Sequence, residues 1–354
     1  MSGNLVLDQL APALRAAGVP LEQARGQLEL NVRASNPKNQ RSQPTVQLRL
    51  KTHDLKLVQQ RPPLDEIEGT PRARETQPFS LVGVDVDLTA NLDAAERKAD
   101  LQTRLLDQYG TLLTLTASSE SLDLGGGAAA LQKAPIKLFV QVPQRELDRL
   151  PVAVRPQAVR GLMALEVNAE GSIEAPNVKA KLDLQRISAR GRRRGVNADA
   201  SLELGPSGGK LLAAADFRGA SVLKLETTWN GDLIRRVQAE AQERKPAFVL
   251  DTDLSLYRFP LQVVAPLSDR QIRGPLSGKV QLRDLGKAAK LDVKLNSREL
   301  KLGEEELPGF EVIAKTEKDQ FVAEVSALQT KGKLSASFTT PMKWQDELAP
   351  EVDS

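Results

Sequence analysis

Asp251 and Asp253 share one face of the stretch LDTDLSL, and paired carboxylates at that spacing supply the oxygen ligands a hard cation prefers. No Gly-containing loop and no further carboxylate stands close by, so a solvated strand face accounts for them. The clusters Glu304, Glu305, Glu306 and Asp65, Glu66, Glu68 could do general acid and base work if burial split their pKa values. Both sit in Gly- and Pro-flanked contexts that read as solvated loops. His53 is the sole histidine, placed beside Asp54 with no second ligand in view. Gly208-Gly209-Lys210 lacks the upstream glycine and the Ser/Thr of a phosphate loop and reads as a hairpin turn. Arg190, Arg192, Arg193 and Arg194 form the densest basic patch. Such a patch could meet anionic lipid headgroups, but a charged strand end that discourages edge pairing is the plainer reading. The expectation is therefore no catalytic residue, no metal, no cofactor and no enzyme.

Composition narrows the class further. Of 354 residues, 40% are hydrophobic and 27% charged, with 49 Lys+Arg against 46 Asp+Glu leaving a net charge of +3. The two signs are interspersed, so nothing in them points to nucleic acid. Cysteine is absent, which removes disulfides, thiolate metal sites and cysteine nucleophiles together. No stretch approaches the roughly 18 consecutive apolar residues of a membrane span, and MSGNLVLDQL has neither a basic nor an apolar leader region. A repeat lead follows Met1 almost at once, which suggests a fragment of a longer protein. Aromatics make up only 3%, so the apolar surface is almost wholly aliphatic.

That aliphatic surface alternates with polar residues nearly everywhere, the period of a strand with one buried face. Val82, Val84, Val86 and Leu88 carry the pattern, as do Val178, Ala180, Leu182 and Leu184, and then Val196 and Ala198. It returns at Ala289, Leu291, Val293 and Leu295 and at Phe321 and Val325. Roughly fifteen such strands, parted by Gly, Pro, Asn, Asp or Ser turns, predict an all-β antiparallel sheet.

A longer sentence of sequence recurs three times: a Pro-punctuated lead, an Arg-Gly turn, and two alternating strands. The copies open at Arg25-Gly26, Arg160-Gly161 and Arg273-Gly274. The lead Asp8 to Ala17 reads as a helix with Asp8 as N-cap and Gly18 as the C′ residue, and the leads Pro143 to Val159 and Phe259 to Ile272 read as short helical turns broken by Pro151, Pro156 and Pro266. Residues 60–78 read as a polar loop. Gly125-Gly126-Gly127 is a flexible junction. The expected segments are 1–133, 134–258 and 259–344, with an unstructured tail over 345–354.

An aliphatic face of this extent has to be covered, because its burial is the main force available to fold the sheet. Either the sheet closes on itself as a scaffold with a dry interior, or it curls into a trough that holds an apolar ligand. The scarcity of space-filling aromatics leans toward the trough.

The stretch PQRELDRLPVAVRPQAVRGLMALEVNAEGSIEAPNVKAKLDLQRISARG resembles the TamB branch of the AsmA-like proteins of Gram-negative envelopes. The matching positions are Leu147, Leu150, Pro156, Gly161, Gly171, Pro176 and Gly191, with Pro266, Gly274 and Gly286 in the third copy and Gly18, Gly26 and Pro44 in the first. The third copy has no counterpart of Pro176, and the first has a longer turn over Ser35 to Gln43. The resemblance implies an elongated, curled antiparallel sheet, a β-taco or repeating β-groove. It implies a periplasmic conduit for phospholipids between the inner and outer membranes, with a role in outer-membrane protein assembly. On that reading the groove-facing, lipid-binding residues are the sixteen named above, from Val82 to Val325. The partners are phospholipids and an outer-membrane barrel protein of the TamA type. Membrane contact would run only through parts of a longer, inner-membrane-anchored parent. No catalytic residues come with the family.

Overall fold

A computed structural model of the chain describes residues 2–6, 21–35, 44–59, 80–122, 132–156, 159–189, 195–238, 248–264, 266–267, 270–287, 289–317, 320–329, 332–343 and 351–352. Among the described residues the protein is all-β, with 77% in strands and 6% helical, and they form one large antiparallel sheet of 17 strands that does not close into a barrel. With so little helix, packing is decided by which face of each strand meets its neighbour.

Two compact units divide the chain, Met1–Gln157 with Ala164–Glu174, and Ala158–Met163 with Ala175–Ser354. In the first, Ser2–Val6, Leu21–Ser35, Thr45–Gln59, Val84–Asp93, Lys98–Asp107, Gly110–Ser119 and Ile136–Glu146 pair in that order, each antiparallel to the next. In the second the ladder runs through Pro176–Ala189, Val196–Gly205, Gly208–Phe217, Ala220–Asn230 and Val249–Pro260. It continues through Pro275–Leu285, Lys290–Ser297, Gly309–Glu317, Gln320–Gln329 and Gly332–Lys343. Ile272–Arg273, Lys301–Leu302 and Glu305–Glu306 form a small separate sheet.

Tight connections carry the turn chemistry their geometry needs. Asp93 Oδ1 accepts the backbone N–H groups of Ala95 and Glu96, both at 3.0 Å, which closes the turn before Lys98. Pro206-Ser207 and Arg218-Gly219 are two-residue hairpin loops. The glycines after the first loop belong to the following strand. A Cβ on Gly209 would sit 2.3 Å from the Trp229 ring, so the indole packs where any side chain would stand.

The Arg-Gly dipeptides are not turns. Arg25-Gly26 and Arg160-Gly161 lie inside the strands Leu21–Ser35 and Val159–Gly171, and Gly274 directly precedes Pro275–Leu285. All three glycines have positive φ (127°, 148° and 135°). Opposite Gly26 the partner strand bulges: Arg25 faces Lys56 while Gln27 faces His53, so the glycine alone meets Asp54 and Leu55. Asp54 takes φ 55° there, and Arg186 takes φ 54° where its carbonyl lies against Gly161. A bulge bends its strand and increases local twist. Glycine is needed because the partner backbone comes so close: a Cβ would lie 2.9 Å from the His53 carbonyl oxygen at Gly26 and 2.5 Å from that of Glu299 at Gly274.

In the two described leads Leu147–Arg149, Val152–Val154 and Leu261–Val263 are 3-10 turns, and Pro266 and Leu267 are helical. Prolines fix φ and withhold the N–H that a helix would use. The lead Asp8 to Ala17, the loop 60–78, the triple glycine, Arg190 to Arg194 and most of the tail lie outside the described residues. Glu351–Val352 pairs with Met342 and Lys343. A six-residue α-helix, Leu233–Gln238, had no clear sequence signal.

One ion pair clamps the first unit. Arg145, on the strand Ile136–Glu146, meets Asp107 through both guanidinium nitrogens, and Nη2 also reaches the carbonyls of Thr111 (3.1 Å) and Gly110 (3.4 Å). The two side chains are 6% and 9% exposed, so removing one leaves a buried, uncompensated charge. Arg145→Ala is expected to cost about 3–5 kcal/mol in denaturant unfolding, whereas Arg258→Ala, which breaks an exposed pair, should cost about 0–1 kcal/mol. Gly26→Ala should cost about 1–3 kcal/mol, the usual size of forced backbone strain, read by the same unfolding curves.

Candidate functional site

Register turns the alternation of each strand into continuous rows. In the second unit Leu182, Ala200, Ala213, Leu225, Leu254, Val280, Val293, Ala314, Ala323 and Phe338 stand opposite one another from strand to strand. A parallel row joins Leu184, Ala198, Ala215, Leu223, Leu256, Gly278, Leu295, Val312, Val325 and Ala336 through the same pairings. In the first unit one row runs Leu30, Leu50, Leu88, Thr103, Leu115, Val140, and another Val32, Leu48, Ala90, Leu101, Ala117, Leu138. At about 4.8 Å per strand, the rows of the second unit carry an apolar band roughly 40 Å along the ladder.

Most of this band is neither buried nor free. Along Pro176–Ala189 the apolar positions Val178, Ala180, Leu182 and Leu184 are half-buried while Asn177, Lys179, Lys181 and Asp183 between them are exposed. Leu291, Val293 and Leu295 repeat the pattern against Lys290, Asp292, Lys294 and Asn296. Half-burial is what cross-strand neighbours provide when aliphatic side chains shelter one another without a second layer. The dry contacts gather at the strand ends, where Val196, Ala215 and Val222 are buried and Ala198, Phe217, Leu223, Phe259 and Val263 pack against them.

The expected site residues divide accordingly. Val86, Leu88, Val178, Ala180, Leu182, Leu184, Ala198, Leu291, Val293, Leu295 and Phe321 are half-buried. Val84, Val196 and Ala289 are buried, at 1%, 5% and 4% exposure. Val325 is 49% exposed, close to the outermost strand, where Leu334 reaches 77%. Val82 leaves the row: Gly83, at φ 67°, interrupts the alternation, and Val82 is 56% exposed while Val84 is buried. The middle of the band comes from residues not singled out from the sequence, among them Leu211, Leu225, Leu254 and Val280, although their alternation carried the same signal. Thr227 and Thr252 face each other inside it, their hydroxyls 3.1 Å apart, which satisfies both.

Two short turns reach across the ladders. Leu261–Val263 follows the strand Val249–Pro260 yet lies against Pro176–Ala189, four strands back in the second unit. Val152–Val154 follows Ile136–Glu146 and lies against Ser80–Val82 in the first.

The opposite face is charged and internally paired. Glu29, Lys51, Asp87 and Arg104 alternate in sign across four strands. Asp253 accepts two hydrogen bonds from Arg283 Nη2, at 2.6 and 2.7 Å, and one from Gln281 at 2.8 Å; Asp251 accepts the Asp284 N–H at 2.8 Å. The two aspartates therefore serve as strand-to-strand ties. His53 Nε2 lies 3.6 Å from Glu29, and Glu306 pairs with Lys301 at 2.8 Å. Among the described residues no group of three or more His, Cys, Asp or Glu converges as a metal site, and no helix is long and apolar enough to cross a membrane.

The fold and the site together define a class: an open antiparallel sheet with one charged face and one aliphatic face. No family model, curated protein or solved structure matches the chain.

The Arg283 guanidinium, hydrogen-bonded to Asp253, holds that carboxyl below its ordinary value of 3.8. A lowered folded-state pKa means that the pair stabilises the fold above pH 4 and that its contribution fades as acid titrates the folded carboxylate. Asp253→Asn should therefore flatten the fall in melting temperature below pH 4 while leaving the slope near pH 7 unchanged, measured by thermal unfolding across pH.

Proposed function

We propose that the chain is a lipid conduit: the aliphatic rows shelter phospholipid acyl chains, and headgroups remain toward solvent at the margins of the band. The observation that carries this reading is the ten-strand aliphatic band in register, most of whose side chains are half-buried. Covering it would release about 25 cal/mol per Å² of apolar surface, and a hydrocarbon chain can do so at any point along rows that present near-equal contacts. The bulges opposite Gly26 and Gly161, and the turn that reaches back four strands, support a curled, groove-like sheet. Partial accessibility along Val178–Leu184 and Leu291–Leu295 argues against a closed scaffold with a dry interior.

The resemblance to the TamB branch supplies the setting of this proposal. On that resemblance the work would be done in the periplasm of a Gram-negative cell, within a longer anchored parent, beside an outer-membrane barrel of the TamA type. No chemistry is required of the protein itself. Movement would follow from the similarity of neighbouring sites, and the direction from whatever partners load and unload the ends.

Native mass spectrometry of the purified chain is expected to find copurified phospholipid. A photoreactive residue at Leu182 or Val293 should crosslink it, and the same probe at Lys181 or Lys294, on the charged face, should not. Val293→Glu, which puts a carboxylate into the row, should lower recovered lipid several-fold, since an unpaired charge is costly in an apolar setting. Absence of lipid together with absence of crosslinks at both apolar positions would overturn the proposal.

A further inference from the structure

At the ends of the strands of the second unit a cleft of about 780 Å³ opens beside the buried cluster at Val222 and Phe217. Its wall carries Arg218, Arg258, Arg273 and Lys301 against one acid, Glu299. Glu299 holds Arg258 through two contacts of 3.1 Å, and Glu306 holds Lys301 at 2.8 Å. Arg218 lies over the Phe217 ring, 5.1 Å from its centre. Arg273 has its Nε buried with no hydrogen-bond partner, while its Nη1 comes only to 4.0 Å from Glu304. The Arg273 side chain lines the cleft and is 40% exposed, and its contact with Glu304 is long, so its charge is available to an oxyanion placed there.

Arg218 and Arg258 stand at φ 57° and 48°, the first in a two-residue hairpin loop and the second in a bulge, left-handed positions of the kind that Arg97 and Arg186 take elsewhere in the chain. Phosphate suits the donors, because guanidinium groups present planar N–H pairs that match its oxygens. The apolar row begins at once beside it, at Ala215 and Leu223.

We propose that this cleft binds a phosphate-bearing anion, the headgroup of an acidic phospholipid whose acyl chains lie on the adjacent row, with Arg273 and Arg218 as donors. The inference rests on the conduit reading and adds a headgroup preference to it.

The test incubates the full chain with vesicles of equal phosphatidylglycerol and phosphatidylcholine and measures bound lipid by native mass spectrometry. Phosphatidylglycerol should be enriched. Arg273→Gln should reduce that enrichment roughly tenfold, the worth of one charge-assisted hydrogen bond, without reducing bound phosphatidylcholine. Arg218→Asn, a residue that tolerates the left-handed turn, should reduce it while keeping the fold. Arg273→Lys should restore part of it. If phosphatidylcholine binds but no enrichment exists, or enrichment survives both substitutions, the headgroup site is overturned and the conduit stands. Binding of neither lipid overturns both. A calorimetric titration with inorganic phosphate separates the sources: Arg273-dependent binding of phosphate without lipid enrichment would assign the cleft to the free ion and overturn the headgroup assignment.

Discussion

The structure rests on one constraint: strand register keeps most aliphatic side chains of each ladder on the same face. A slip of one residue at any pairing would send that strand's apolar set to the charged side. The pairings of Leu182 with Ala200, Ala213 with Leu225 and Val280 with Val293 show the rule holding across successive strands. Small and medium aliphatics suit it, because they shelter their cross-strand neighbours without demanding an opposing layer. The band is stable enough to persist and open enough to accept something more.

Departures from regular pairing are concentrated where they change direction. Gly26 and Gly161 permit close backbone approach opposite bulged residues, and these bulges bend strands that would otherwise run flat. Thr52 turns such an irregularity to use: its hydroxyl accepts the Val86 N–H at 2.7 Å, replacing a ladder bond beside the point where regular pairing with Val84–Asp93 ends. At one set of strand ends Val263 packs on Val196, Ala215 and Val222, and at the other Trp229, Phe248, Leu285 and Ala289 are buried.

Charged residues act mainly as ties between strands. Arg145 with Asp107 and Arg283 with Asp253 each join separate strands, the first buried and the second on the solvated face. Asp251, Asp253 and Glu306, among the carboxylates that might have suggested chemistry, are engaged in this work. Among the described residues, Arg273 Nε is the one buried cationic nitrogen without a hydrogen-bond partner.

The sequence by itself determined the strands, their one-sided alternation and the absence of a thiol or histidine cluster, because period two is a local property that needs no knowledge of partners. Leu182 and Val293, named from that alternation, stand opposite the apolar Ala200 and Val280 of neighbouring strands. The tertiary structure alone decided how those faces join, since row continuity depends on register between strands. It decided that Arg-Gly marks a close approach inside a strand and not a turn, because a positive φ is needed only where Asp54 or Arg186 bulges opposite. It moved Val82 out of the row through the backbone of Gly83 and kept the described leads to short turns at their prolines. It also brought Arg145 to Asp107 across 38 residues, a pairing no local pattern encodes, because it depends on where a third strand lies beside a hairpin.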